Sequence, residues 1–119
     1  MKYTDFNQMP VWIKSMDIAV EVFFISDDLP RKEDYALTSQ IRTSAESISS
    51  NIAEGFGRSG NKDKCNFYKF SRGSAYETKN HLIYGTRVGY FEIQKLEAII
   101  SEIEAVIHEL NKIIKTLDK

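Results

Sequence analysis

Glycine and proline are placed so unevenly in this chain that they nearly draw its plan. Both prolines, Pro10 and Pro30, come early, and all six glycines fall between Gly55 and Gly89. Three long stretches hold neither residue: Val11 to Leu29, Arg31 to Glu54, and Tyr90 to Lys119. Apolar residues do not alternate with period two over any useful length, which argues against strands. What remains is a chain of long helices separated by short breaks.

The last stretch has the clearest pattern. Leu96, Ile100, Ile103, Ile107, Leu110, Ile114 and Leu117 alternate steps of four and three, and Ile99, Val106 and Ile113 widen the stripe. At about 1.5 Å of rise per residue, a helix of about 26 residues spans roughly 40 Å. The first helix is expected to begin at Pro10, a residue suited to a first helical turn. It carries two stripes: Trp12, Met16, Ala19, Val20 and Phe23, and, more than about 100° around the axis, Val11, Ile18, Val22 and Ile25. Either the helix is buried on both sides, or one stripe faces the core and the other a partner subunit. After the connection Ser26-Asp27-Asp28-Leu29-Pro30, a second helix is expected from about Lys32 to Glu54. A third runs from about Lys62 to Val88, capped by Asn61 or Ser59, with apolar positions at Phe67, Tyr68, Phe70, Ala75, Leu82 and Ile83. Gly73 and Gly85 each cost such a helix about 1 kcal/mol relative to alanine, so close helix contact or a bend is expected there. The fold class is all-α: an up-and-down antiparallel four-helix bundle forming one domain over residues 1–119. Short connections favour this over a long coiled coil built on the fourth helix alone.

The second helix is unusual. From Thr38 to Ser50, seven of thirteen residues are Ser or Thr, whose hydroxyls compete for backbone groups and make them indifferent helix formers. Yet Leu37, Ile41, Ala45, Ile48 and Ile52 keep helical spacing. Beside that seam Gln40, Ser44, Ser47, Asn51 and Glu54 step by four, three, four and three. Such a polar line is either solvated or inserted into the bundle. If inserted, it needs partners, and the third helix offers Arg72, Ser74, Glu77 and His81. A structural network is the first reading and a ligand site the second. After Glu54 come Gly55-Phe56-Gly57-Arg58, with Gly55 read as a helix stop needing positive φ. Arg58 either holds the loop by bonding to carbonyls or presents a cation to a partner.

The run from Tyr35 to Ser59, YALTSQIRTSAESISSNIAEGFGRS, resembles a known family. It is similar to small bacterial four-helix-bundle proteins encoded within intervening sequences of 23S ribosomal RNA genes. The family pattern is matched by Gln40-Ile41-Arg42, Ser47-Ile48, Asn51-Ile52-Ala53-Glu54-Gly55, Gly57-Arg58, Gly73-Ser74, Glu77 and Gly89-Tyr90. Ser49 stands where the family often has proline, and Thr78-Lys79-Asn80-His81 replaces a usual Leu-Glu-Thr-Gln. The resemblance implies a four-helix bundle assembled as a homopentamer. It also implies kinship with an accessory protein of diversity-generating retroelements, which binds nucleic acid through a positive surface.

Charge and composition narrow the function classes. The 119 residues are 42% hydrophobic and 28% charged, with net charge −1, so overwhelming positive charge is not a route to nucleic acid. Residues 58–79, however, hold six bases against two acids, a local +4. A tentative nucleic-acid surface (RNA or DNA) is therefore Arg58, Lys62, Lys64, Lys69 and Arg72, interleaved with Phe67, Tyr68 and Phe70. The bland alternative is a solvated helix face over core aromatics. No enzyme, metal or cofactor is expected. The paired Glu-x-x-His motifs of di-iron bundles are missing. His81 follows Glu77 by four residues and His108 has no glutamate three before it. Cys65 is read as a packed thiol, and the glycine loop lacks P-loop spacing. The single cysteine, the lack of a roughly 20-residue apolar span, and an N-terminus, Met1-Lys2-Tyr3-Thr4-Asp5, without the charged-then-apolar plan of a secretory signal lead to the expectation of a cytoplasmic protein away from membranes. Surplus apolar surface on the first and fourth helices points to a homo-oligomeric ring. A structural or protein-interaction module without nucleic-acid binding is the alternative function.

Overall fold

A computed structural model describes residues 3–118. A 3-10 turn at Phe6–Gln8 leads into α1 (Pro10–Ser26), followed by α2 (Leu37–Phe56), α3 (Asn61–Arg87) and α4 (Ile93–Leu117). There are no strands among the described residues. The helices pack in cyclic order, α1 on α2, α2 on α3, α3 on α4 and α4 back on α1, with no close backbone approach across either diagonal among the described residues. That arrangement is a four-helix bundle 44 Å long and 24 by 21 Å across.

The core is aliphatic. Ile18 and Val22 of α1, Ile41, Ile48 and Ile52 of α2, Leu82 of α3, and Ile103 and Leu110 of α4 are all fully buried. Each contributes about 2 kcal/mol by leaving water. On α1 the structure chooses between the two stripes. Val11, Ile18 and Val22 face the core, whereas Val20 and Phe23 of the other stripe are exposed.

Two boundaries differ from the sequence expectation. α2 starts at Leu37, five residues after Lys32, because Arg31–Glu33 form a 3-10 turn and Ala36 has φ −124° and ψ −107°. Nothing apolar is buried between Lys32 and Ala36, and Tyr35 is 98% exposed, so no packing draws this segment into the helix. Instead Glu33 supplies its carboxylate to the backbone NH of Leu37 (3.3 Å). At α3, neither Asn61 nor Ser59 caps. Gly60 is the N-cap without a side-chain bond, and Asp63 in the first turn complements the helix dipole.

The glycines split by role. Gly89 alone has positive φ, +92°, and closes α3 as the Tyr90 NH bonds back to the Gly85 carbonyl (2.8 Å). The Tyr90 hydroxyl then reaches Glu33 (2.9 Å), tying the α3–α4 turn to the turn before α2. Gly55 corrects an expectation: it lies inside α2 without positive φ. Its lack of a side chain serves contact, since an added Cβ would lie 3.0 Å from the Tyr68 ring and 3.2 Å from Phe67 Cβ. Gly85 is similar, for a Cβ there would overlap the buried ring of Phe91. Gly73 is not: it faces open space.

These environments predict opposite effects for the same substitution. Gly73→Ala is expected to stabilise the protein by about 1 kcal/mol through helix propensity. Gly85→Ala is expected to destabilise it by about 1–2 kcal/mol, because overpacking against Phe91 outweighs that gain. Urea unfolding of both variants, with Phe91→Leu added to relieve the second, checks the pair.

Candidate functional site

The polar line on α2 does not enter the bundle as a unit. Ser44 is buried, Ser47 and Asn51 are half-buried, and Gln40 and Glu54 face solvent. Its expected partners are displaced by one position. Buried Thr78 places Oγ1 2.9 Å from Ser44 Oγ, and buried Ser71 donates to the Ile48 carbonyl at 2.7 Å. Asn51 bonds within its own helix, to the Ser47 carbonyl (2.9 Å). Ser74 contributes only its carbonyl, 2.8 Å from Thr78 Oγ1. Glu77 is exposed beside His81, whose Nε2 stands 3.5 Å away without making a hydrogen bond. The shift follows from helix phase. Residues 71, 75, 78 and 82 form the buried face of α3, so 72, 74, 77 and 81 flank it. Small hydroxyl residues on both helices thus serve close approach.

The basic segment divides in the same way. Arg58 stacks 4.6 Å over the Phe67 ring and pairs with Glu54 (3.1 Å) and Asp63 (3.5 Å). It bonds to carboxylates, and the carbonyl-holding role falls to Lys64. The Lys64 ammonium donates to the carbonyls of Phe56 (2.7 Å) and Gly55 (3.3 Å) at the end of α2, where the helix dipole favours a cation. Arg72 bonds Asn111 on α4 (2.8 Å). Of the five candidate residues, Lys62 and Lys69 are left exposed and without an ion pair among the described residues. They fall on a line that sequence reasoning did not single out: Lys62, Asn66, Lys69, Gly73, Tyr76, Asn80, Tyr84 and Arg87, all exposed on the outward face of α3. Their helical spacing was the signal, masked by attention to the apolar positions.

A second unread feature is Arg42, from the Gln-Ile-Arg motif. Its guanidinium lies 4.4 Å over Phe23 and donates to Ser26 Oγ (2.7 Å), the Phe23 carbonyl (3.3 Å) and Asp27 (3.0 Å). It closes the end of α1 as Lys64 closes the end of α2.

The outward face of α1 is apolar. Ile13, Val20 and Phe24 lie opposite the core stripe, with Phe24 64% exposed and Phe23 beside it. A cleft lined by Ala19, Val20, Phe23, Phe24, Arg42 and Glu46 runs alongside. Asp17 interrupts this face, and Glu21 flanks it toward Glu102 on α4. Burial, hydrogen bonding with Glu21, and the charges of Glu21 and Asp17 together raise the Glu102 carboxyl from its ordinary 4.5 to about 7.

Cys65 is buried with Sγ 4.0 Å from the Ile114 carbonyl. His108 is exposed. No cluster of His, Cys, Asp and Glu suited to a metal occurs among the described residues, and no helix is long and apolar enough to cross a membrane.

Together these features define a class: a small helical bundle whose internal polar groups are largely paired with one another, leaving its remaining chemistry on outward helix faces and at its ends. Within that class the chain belongs to the 23S rRNA-intervening sequence protein family, whose model matches residues 7–112. Four solved chains are similar to it. One is a crystal structure of a protein of unknown function from the S23 ribosomal protein family of Bacteroides thetaiotaomicron VPI-5482. It is 26% identical, with a TM-score of 0.82 over 88% of this chain and 98% of that one. No curated protein matches the chain.

Two measurements follow from the seam and the acidic cluster. Ser71→Ala, which removes the bond to the Ile48 carbonyl, is expected to cost about 1 kcal/mol in urea unfolding. Glu102 binds its proton more tightly folded than unfolded. Its contribution is therefore full below about pH 4.5, fades as pH rises toward 7, and is gone above. Glu102→Gln is expected to raise the melting temperature at pH 8 by a few degrees and to leave it unchanged near pH 4, in paired thermal scans.

Proposed function

We propose that this protein is a non-enzymatic interaction module that works as a closed ring of identical copies, five by family resemblance. The observation that carries this reading is the apolar outward face of α1. Three large side chains, Ile13, Val20 and Phe24, each at least 45% exposed, share one side of a helix whose opposite side already fills the core. The cleft beside Phe23 offers a partner's side chains a place to insert. Such a face on a lone bundle is an aggregation liability, and a second copy removes it. Closed symmetry limits growth.

A second reading has its own support. Lys62, Lys69 and Arg87, with Tyr76 and Tyr84, share the outward line of α3, a pattern suited to phosphates and to stacking on bases. In a ring this line repeats around the assembly, so weak contacts with RNA or DNA add through multivalency. Arg58, Lys64 and Arg72 have intramolecular work and are not assigned to that surface.

Light scattering of the purified chain at micromolar concentration is expected to give a mass several times that of one chain. Val20→Glu with Phe24→Glu is expected to give monomers that keep their helical content, since both positions are exposed on one chain, and that melt below the native assembly, whose own Tm falls on dilution. A monomeric native chain would overturn the reading. For the α3 line, Lys62→Glu with Lys69→Glu is expected to abolish binding of labelled RNA or DNA at low salt, and binding by the native chain is expected to weaken steeply as salt rises.

A further inference from the structure

At the pole of the bundle where both chain ends and the α2–α3 loop meet, the helices leave a cavity of about 730 Å³. That size is within the range of small-molecule sites. Its walls are apolar: Met9, Val11, Phe56, Tyr68, Ile113 and Leu117. Its polar lining residues are few: Lys64, Lys112, Glu109 and Thr116, with the two tyrosines Tyr3 and Tyr68.

The geometry points to a binding site for an amphiphilic carboxylate, a fatty-acid-like molecule whose chain occupies the cavity and whose head meets the lysines and the Tyr68 hydroxyl. Three observations favour that occupant. Tyr68 is only 3% exposed as a residue, but its hydroxyl makes no hydrogen bond to a described residue and is not among the atoms sealed from solvent, so it opens on the cavity that the residue lines. Burial of the ring raises its pKa, so the group stays protonated and can donate to an acceptor that replaces water there. Lys64 is fixed by two carbonyl bonds, which use two of its three N–H groups and leave the third. Among the described lining residues two lysines stand against one glutamate, a balance that favours an anion over a cation of the same length. The apolar walls exclude a small inorganic anion as sufficient occupant.

The site is independent of the outward α1 face, so its test does not depend on ring formation. Decanoate is titrated calorimetrically into the native chain, beside decyltrimethylammonium and decanol. Saturable binding of one decanoate per chain is expected, with no binding of the cation and weakening by about tenfold for the alcohol. Tyr68→Phe is expected to weaken decanoate by about tenfold while folding normally. Thr116→Trp, which plugs the mouth from an exposed position, is expected to abolish binding and raise the melting temperature. No saturable binding, equal binding of the cation, or indifference to both substitutions would overturn the assignment. So would a Thr116→Trp chain whose assembly mass changes while decanoate still binds, because the cavity would then be a contact between copies.

Discussion

The close contact between α2 and α3 is the constraint on which the rest depends. A helix with so many Ser and Thr residues gains little from intrinsic propensity, so it holds its shape through what its neighbours accept. Ser71 meets the Ile48 carbonyl and Thr78 meets Ser44 within a wall of isoleucines. Short side chains bring the two axes together, and their hydroxyls are paired where water cannot reach. An unpaired hydroxyl at that depth would cost about 1–3 kcal/mol, which makes register between the two helices a matter of stability. Thr78 supplies that pairing through its bond to Ser44, its oxygen also lying 2.8 Å from the Ser74 carbonyl. Ser49, likewise buried, returns its hydroxyl to the Glu46 carbonyl of its own helix (3.1 Å).

Two cations finish what packing begins. Arg42 and Lys64 each sit against an aromatic ring and spend their donors at the end of a helix: Arg42 on the Ser26 hydroxyl, the Asp27 carboxylate and the Phe23 carbonyl of α1, Lys64 on two carbonyls of α2. Both belong to motifs or charge runs that invite a functional reading. Their geometry is that of closure: they neutralise the negative ends of helices that must stop beside an apolar core. Positive charge in a sequence is therefore a poor guide to a nucleic-acid surface until each cation's local duties are subtracted.

The four helices, the seam on α2 and the stripe on α4 were legible because periodicity survives any detail of packing. The breaks were less so. Lys32 to Ala36 contains good helix formers, and only the absence of anything to bury keeps it out of α2. Gly55 reads as a stop because glycine often ends helices, yet here it admits the Tyr68 ring, a long-range fact that no local pattern carries. The partners of Ser44 were misplaced by one residue on α3, a rotation of about 100° that decides between core and flank. The exposed line on α3 was available in the spacing of Lys62, Lys69, Tyr76 and Arg87.

The hydrogen bond from Tyr90 to Glu33 makes the two ends of the rod unlike. At that pole both connections are latched together, with Glu33 also holding the first amide of α2. The opposite pole gathers the N-terminal turn, the end of α4, the short α2–α3 loop and the cavity. Opening of the bundle is therefore expected to start at the hollow pole while the latched one stays shut, in the manner of a clothes peg gripped at its spring. Amide protons would report it as a gradient of protection along every helix, rising toward Tyr90.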